Sequence, residues 1–487
     1  MLNLVCISPL SSYPERHAVG PGCSVVKHKD SPRSTARPPR VARLSVICRW
    51  LPVGEVTQNR FGVPTWMTVR AFIVSVGIAC AAGSVGAQRE VELAIRETGH
   101  RRLDIIVGEF SGESSSESRP VFDALKQDLE FSGFFRVLDG LELVSDWGDS
   151  STRRQQWSMI GADALLEGSV ERNGQNVEIQ AFLSDMTSGQ IVTRKKATGN
   201  NERHLVHTVS DEVVRALTGE RGIASTRIAF ILKRNNTSEL CVADYDGQNP
   251  TVLTNTGLLK FGPAWSPLGD LVAFSGFVED SPALFLWSFG DRRAQRLTSF
   301  PGLVAGASWT RDGKKLALTL TKDGNSEVYA MNRDGSGLRR ITRHPGIDCS
   351  PSWSPSGREI AFTSDRSGSP QIYITDLDGT ELKRLTFSGV YNESAAWSPK
   401  GDRIAYVARE AGFFDVWVMD TTGRQRRRIT FKGTSNEDPA WAPDGRHLVY
   451  ASTRGNREEL VLTDVSGRLE HVLPLGDGDK QEPSWSP

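Results

Sequence analysis

Six tryptophans, Trp265, Trp309, Trp353, Trp397, Trp441 and Trp485, are each separated by 44 positions. A period of that length signals a repeat architecture, because one such unit cannot bury its apolar faces alone and must stack on its neighbours. Around Trp397 the unit reads as four short strands: "SAAWSP", a turn at Lys400-Gly401-Asp402, "RIAYVAR" with alternating polarity, "FDVWVMD", a turn at Thr421-Thr422-Gly423, and "RQRRRIT". Short strands joined by glycine-containing turns are antiparallel hairpins. Asp244, Asn332, Asp376, Asp420 and Asp464 share one phase, each three positions before Gly247, Gly335, Gly379, Gly423 or Gly467. That predicts a repeated turn in which the side chain folds onto its own backbone and glycine accepts a positive φ. The indoles are expected between neighbouring sheets, each contributing about 2–3 kcal/mol of burial.

Radial repetition is how four-stranded units of this kind cover both faces, so the fold class is mainly β, a six-bladed β-propeller. The sequence closes on "SWSP", only the first strand of a unit, whereas "RIAFILK" from Arg227 begins at the phase of a second strand. The C-terminal strand is therefore expected to complete a blade whose other strands come from Arg227 to Asn255, closing the ring and removing its exposed edges.

Gln88 to Gly222 has no 44-residue echo. "RLDIIVGEF", "ADALLEGSVER", "NVEIQAFLSD" and "IVTRKKATG" read as strands. Helical spacing places Phe122, Leu125 and Leu129 on one face, and Val206, Val209, Val213 and Leu217 on another, with Gly219 as a stop. The expectation is a small α/β domain with a mixed sheet over 88–222, then the propeller over 223–487. Upstream, Met67 opens "MTVRAFIVSVGIACAAGSVGAQ": a basic residue, a short apolar run and the small residues Val85-Gly86-Ala87. This is the pattern of a secretory signal over 67–87, too short to span a membrane. Translation is expected to start at Met67, leaving 1–66, rich in Pro, Ser and Arg, as an upstream extension without a packed core.

Formal neutrality hides an asymmetry. The first 66 residues carry nine Lys or Arg against three acids, and setting these and Arg70 aside leaves 48 basic against 55 acidic residues. A negative balance argues against nucleic acid as partner. Cys241 and Cys349, the only cysteines after residue 87, fall at different phases of different repeats and are expected as free buried thiols.

Gly-x-Ser-x-Gly, His-Glu-x-x-His, paired Cys-x-x-Cys and a phosphate-binding glycine loop are all absent from the sequence. His204 and His207 share a helix side and read as a surface pair. One constellation stands out. The residues three and four before each Trp lead into the innermost strands and should ring one mouth of the channel: Phe261 and Gly262, Ala305 and Gly306, Cys349 and Ser350, Glu393 and Ser394, Glu437 and Asp438, Gln481 and Glu482. With Asp348 nearby, one arc is acidic and the other small or apolar. Such an arc suits a basic peptide or a divalent cation such as calcium, and otherwise serves as solvated loop charge. No cofactor is expected.

The words "HTVSDEVVRALTGERG", "TRIAFILK", "VADYDGQNP", "PAWSPLGD" and "AFTSDRSGSPQIY" resemble the TolB family of the Tol-Pal cell-envelope system, over Gln88 to Pro487. The resemblance implies a periplasmic, non-enzymatic propeller protein supporting outer-membrane integrity and envelope constriction at cell division. It implies binding of the lipoprotein Pal through the propeller face and of TolA through the mature N-terminal tail, and in some relatives capture by colicin-type toxins. Family contacts with Pal fall at Leu303, Gly306 and Cys349, where Leu303 and Cys349 replace a histidine and a threonine of some relatives. The acidic arc adds Asp348, Glu393, Glu437, Asp438 and Glu482. The tail falls at Gln88 to Gly99, in which Val91, Leu93 and Ile95 alternate with Glu90, Glu92 and Arg96, a pattern suited to adding an edge strand to a partner or to its own domain. The alternatives are a propeller that binds peptidoglycan or another carbohydrate, and a propeller hydrolase, which would show an acid and a base with split pKa values in the mouth.

Overall fold

The computed structural model describes residues 101–487 except 113–114, 140–156, 158, 236, 279–280, 299 and 411. The expected upstream extension, signal peptide and TolA-binding tail, including Gln88, Glu90, Val91, Leu93 and Ile95, lie outside the described residues.

The first part is an α/β domain. Its strands are β1 (Leu103–Ser111), β2 (Phe135–Asp139), β3 (Ala164–Asn173), β4 (Asn176–Asp185) and β5 (Ile191–Gly199); its helices are α1 (Ser115–Phe131) and α2 (Glu202–Thr218). The sheet runs β2-β1-β3-β4-β5, with β1 parallel to both neighbours and the remaining pairs antiparallel, hence mixed. Phe122, Leu125 and Leu129 on α1 and Val206, Val209, Val213 and Leu217 on α2 pack with Ile105, Val107, Leu166 and Ile179 in one core. Asn201 caps α2 by accepting the His204 N–H at 3.2 Å, and Gly219 ends it at φ 71° with its N–H on the Arg215 carbonyl. β2 is an element the spacing did not predict. "FRVLD" begins two residues after Gly133 and is too short for its alternation to stand out.

From Arg227 onward the chain is a propeller-like array of antiparallel strands. Among the described residues it forms four four-stranded sheets and one eight-stranded sheet. Six separate sheets were expected. The eight-stranded one instead joins two repeats, 392–428 and 435–472, through the single parallel pairing Phe414↔Ser435. The first sheet contains β6 (Arg227–Arg234), β7 (Thr237–Asp244) and β8 (Thr251–Val252) together with the C-terminal strand Asp479–Trp485. That strand pairs antiparallel with β6, from Asp479↔Lys233 to Trp485↔Ile228.

The tryptophans wedge adjacent repeats together. Trp353 packs with Ala317 and Val328 of the preceding repeat, Trp397 with Ala361 and Ile372, and Trp441 with Ala405 and Val416. Backbone bonds repeat as well: the N–H groups of Trp265, Trp353 and Trp397 reach the hydroxyls of Ser484, Ser308 and Ser352 at 3.0, 3.1 and 2.9 Å. Ser484 on the C-terminal strand thus stands to Trp265 as Ser308 stands to Trp353. Trp309 departs from the pattern in being only partly buried. In the Asp-x-x-Gly turns, Asp464 accepts the N–H groups of Arg468 and Leu469 at 3.0 and 3.2 Å. Gly467 has φ 65°, and a Cβ there would lie 2.6 Å from the Ile429 carbonyl oxygen of the preceding repeat. The turn glycine is therefore also a packing residue.

Cys241 is a buried free thiol. Cys349 is disulfide-bonded, against the expectation of a free thiol, and its partner lies outside the described residues. Phase within the repeats relates Cys241 to Cys349 only and is silent on cysteines before them. Among the described residues no helix is long and apolar enough to cross a membrane.

Candidate functional site

Each innermost strand breaks register with its neighbour a few residues before its tryptophan: between Ala305 and Ser308, Cys349 and Ser352, Glu393 and Ala396, Glu437 and Ala440, and Gln481 and Ser484, with the corresponding break in the Lys260–Trp265 strand. A bulge of this kind bends the strand and re-aims its side chains. At every one of them the residue three before Trp takes a left-handed backbone. Gly262 and Gly306 have φ 61°, Ser350, Ser394 and Asp438 52°, and Glu482 51°. Glycine adopts this freely, whereas each of the four L-residues is held there at a cost of about 1 kcal/mol. Glycine at two of the six equivalent positions is the sequence signal of this backbone.

The bulges converge on one depression of about 210 Å³. Gly262, Gly306, Ser350, Ser394, Asp438 and Glu482 line it with Cys349 and Glu393, so all six repeats contribute. Among the described lining residues three are acidic and none is Lys, Arg or His. Glu393 is 4% exposed. Burial pushes its carboxyl up to about 7, against the Tyr391 hydroxyl that donates to it at 3.0 Å, and Glu437 adds repulsion. Glu482 accepts the Gly262 N–H, and burial with Glu458 nearby likewise pushes it up to about 7. Glu437 accepts from the Ser435 hydroxyl and is raised by burial and by Glu458.

Four expected mouth residues stand elsewhere. Asp348 is fully buried, and its carboxylate takes the Arg366 guanidinium at 2.7 Å while that group lies over the Phe362 and Tyr373 rings. It anchors a strand instead of facing the depression. Leu303 sits just before the strand Val304–Trp309, its N–H on Thr321 Oγ1 at 2.8 Å, outside the lining. Glu437 and Gln481 are each one residue short of it, and Gln481 Nε2 donates to Glu458 instead. Phase along a strand could not reveal Tyr391 or Glu458, which reach these acids from a neighbouring loop and a third strand.

The titration has a definite sign. With the folded-state pKa of Glu393 above its ordinary 4.5, the folded chain holds a proton that the unfolded chain releases, so stability falls as pH rises from about 4.5 to about 7 and stays low above. Glu393→Gln is expected to stabilise the protein at about pH 8 by at most about 3 kcal/mol and to do almost nothing at about pH 4. Urea denaturation at the two pH values checks this.

One further cluster combines histidine with carboxylates: His207, Asp244 and Asp246 bring ligand-type atoms within 4.8 Å of one another. The Arg203 guanidinium already lies on Asp246, so positive charge is supplied there by the protein. His207, expected on the surface, is 1% exposed, because its helix side faces the propeller.

Comparison with known proteins agrees with this architecture. The family model of the TolB beta propeller domain matches residues 214–487, and that of the TolB amino-terminal domain matches 91–192. The Tol-Pal system protein TolB of Anaeromyxobacter dehalogenans is 35% identical over 282 residues, 56% of this chain and 65% of that protein. Its counterpart in Legionella pneumophila is 33% identical over 238 residues, 47% of this chain and 55% of that one. The matched region thus spans less than two-thirds of these relatives' length. The crystal structure of TolB from Acinetobacter baumannii superposes with a TM-score of 0.71 at 29% identity, covering 80% of this chain and 97% of that one. With the propeller model alone matching more than half of the residues and the amino-terminal model preceding it, the chain belongs to the TolB family.

Proposed function

We propose that this protein is a periplasmic, non-enzymatic scaffold of the Tol-Pal system. Its propeller is a closed ring of six blades, with the eight-stranded sheet counted as two. Its mouth binds Pal, its N-terminal tail at Gln88–Gly99 binds TolA, and the two attachments support the envelope during constriction. The observation that carries the reading is the depression itself: in a TolB-family chain, all six repeats present one concave surface with three acidic residues and no basic one among the described residues, suited to a basic segment of a partner. The raised carboxyls Glu393 and Glu482 shift in the same direction, whereas a hydrolase of the acid–base type needs two groups driven apart.

Isothermal titration with Pal and with the TolA C-terminal domain tests the assignment. Asp438→Lys combined with Glu482→Lys is expected to weaken Pal at least about tenfold and leave TolA binding intact. Deleting 88–99 is expected to do the reverse. If both variants bound both partners like the parent chain, the assignment would be lost. Retention of the protein on Pal-free sacculi would favour the carbohydrate-binding alternative.

A further inference from the structure

The α/β domain meets the propeller through charged groups that are almost wholly buried. Asp128 on α1 is 4% exposed and accepts three bonds: from the Tyr245 hydroxyl at 2.7 Å, from the Ser210 hydroxyl at 2.7 Å and from His207 Nδ1 at 2.8 Å. Asp246, in the turn after β7, is 1% exposed and accepts from Arg203 through Nε at 3.1 Å and through Nη2, and from the Gln248 N–H at 3.0 Å. His207 on α2 stands between the two carboxylates. Its Nε2 lies 3.9 Å from Asp246 Oδ2 and has no hydrogen-bond partner, although the side chain is buried.

Charge balance decides what this imidazole is. Asp128 and Asp246 carry two negative charges and Arg203 one positive charge, so an imidazolium makes the group neutral. A neutral imidazole leaves a net charge in a buried site and sets a lone pair on Nε2 against a carboxylate. The other charged groups facing it do not alter the count in its disfavour. Asp211 on α2 is held by the Ser225 hydroxyl and by the Ala224 N–H at 2.7 Å, and Asp244 takes Asn249 Nδ2 at 2.7 Å. The Tyr245 ring meets the imidazole edge-on at 5.5 Å. Burial opposes the charge, but the Asp128 hydrogen bond and charge, with Asp246 behind them, hold His207 above its ordinary 6.5.

We propose that His207 is the pin of a proton-dependent latch between the two domains: its imidazolium ties Asp128 on the α/β side to Asp246 on the propeller side, and losing the proton loosens the docking of α1 and α2 on the turn after β7. Elsewhere, among the described residues, the two domains meet through one half-exposed ion pair, Lys400 Nζ on Glu220 at 3.0 Å, and through aromatic contacts. Phe131 stacks on His447 at 5.1 Å and meets Tyr245 at 5.4 Å, and the Arg446 guanidinium lies 3.9 Å above the Phe134 ring. The domains therefore loosen without separating. The sign follows from the raised value: the latch is closed in mild acid and opens as pH rises through the folded-state pKa.

Amide hydrogen exchange on the whole chain, corrected for intrinsic rates and run with a chelator throughout, reads the latch directly. Protection in α1, α2 and the turn at 245–248 is expected to fall about tenfold between about pH 6 and about pH 9, with strands of the repeat at 348–384 unchanged. His207→Gln should be loosely protected at both pH values. Asp246→Asn removes the charge that requires a proton and should flatten the profile; it decides the matter if His207→Gln fails to fold. Equal wild-type protection at both pH values, or a wild-type profile in either variant that folds, overturns the latch. So does protection at about pH 6 that appears only when zinc replaces the chelator, since a metal would then hold the site.

Discussion

A chain lacking Asp479–Pro487 is expected to lose cooperative unfolding and to elute as aggregate. The deleted segment pairs along β6 and buries Trp485, whose indole N–H donates to Thr226 Oγ1 at 2.7 Å. It exchanges two bonds between Ser486 and Arg227 at 2.8 Å, and through Ser484 and Glu482 it accepts the N–H groups of Trp265 and Gly262. Burial of the indole contributes about 2–3 kcal/mol and the polar contacts about 1 kcal/mol each, so the loss exceeds about 5 kcal/mol, comparable with the whole stability of many domains. It also bares the edge of β6, a ready template for another chain. Size-exclusion chromatography and thermal circular dichroism measure both effects. A truncated chain that stays monomeric and melts like the parent would contradict the account of how the array closes.

The second large effect is expected at Asp128. Replacing it with alanine leaves the Tyr245 hydroxyl and His207 Nδ1 without their acceptor in a buried site, and the Ser210 hydroxyl with only the Val206 carbonyl at 3.2 Å. The expected loss is about 3–5 kcal/mol, because the abandoned partners keep their desolvation penalty. Asp123, one turn earlier, is exposed and pairs with Arg119, and its alanine variant should cost under about 1 kcal/mol. Guanidinium denaturation of the pair discriminates: similar midpoints for the two variants would mean that the buried carboxylate contributes little.

What the sequence revealed follows from what periodicity can carry. Trp spacing places residues of equal phase in equal surroundings, and this sufficed to pair Trp485 with Ile228 and to bring Gly262, Gly306, Ser350, Ser394, Asp438 and Glu482 to one depression. Phase says nothing of which way a bulged residue turns, so the left-handed backbone at these positions went unread. It says nothing of a partner in another strand, so Asp348 was assigned to the surface although Arg366 holds it in the interior. Where two differently patterned parts meet, neither pattern predicts the contact: His207 looked like an exposed helix residue because the surface that buries it begins at Tyr245, outside the helical period.

The pairing of Arg227 with Ser486 spans 259 positions, which fixes the order of events when the chain is made. Each inner hairpin can form as soon as it emerges, but the first sheet must wait, one flank bare, until the final strand arrives. Loop closure over such a distance is slow relative to local hairpins. A partly folded array is therefore a spring washer without its last turn, its β6 flank open until the strand Asp479–Trp485 docks.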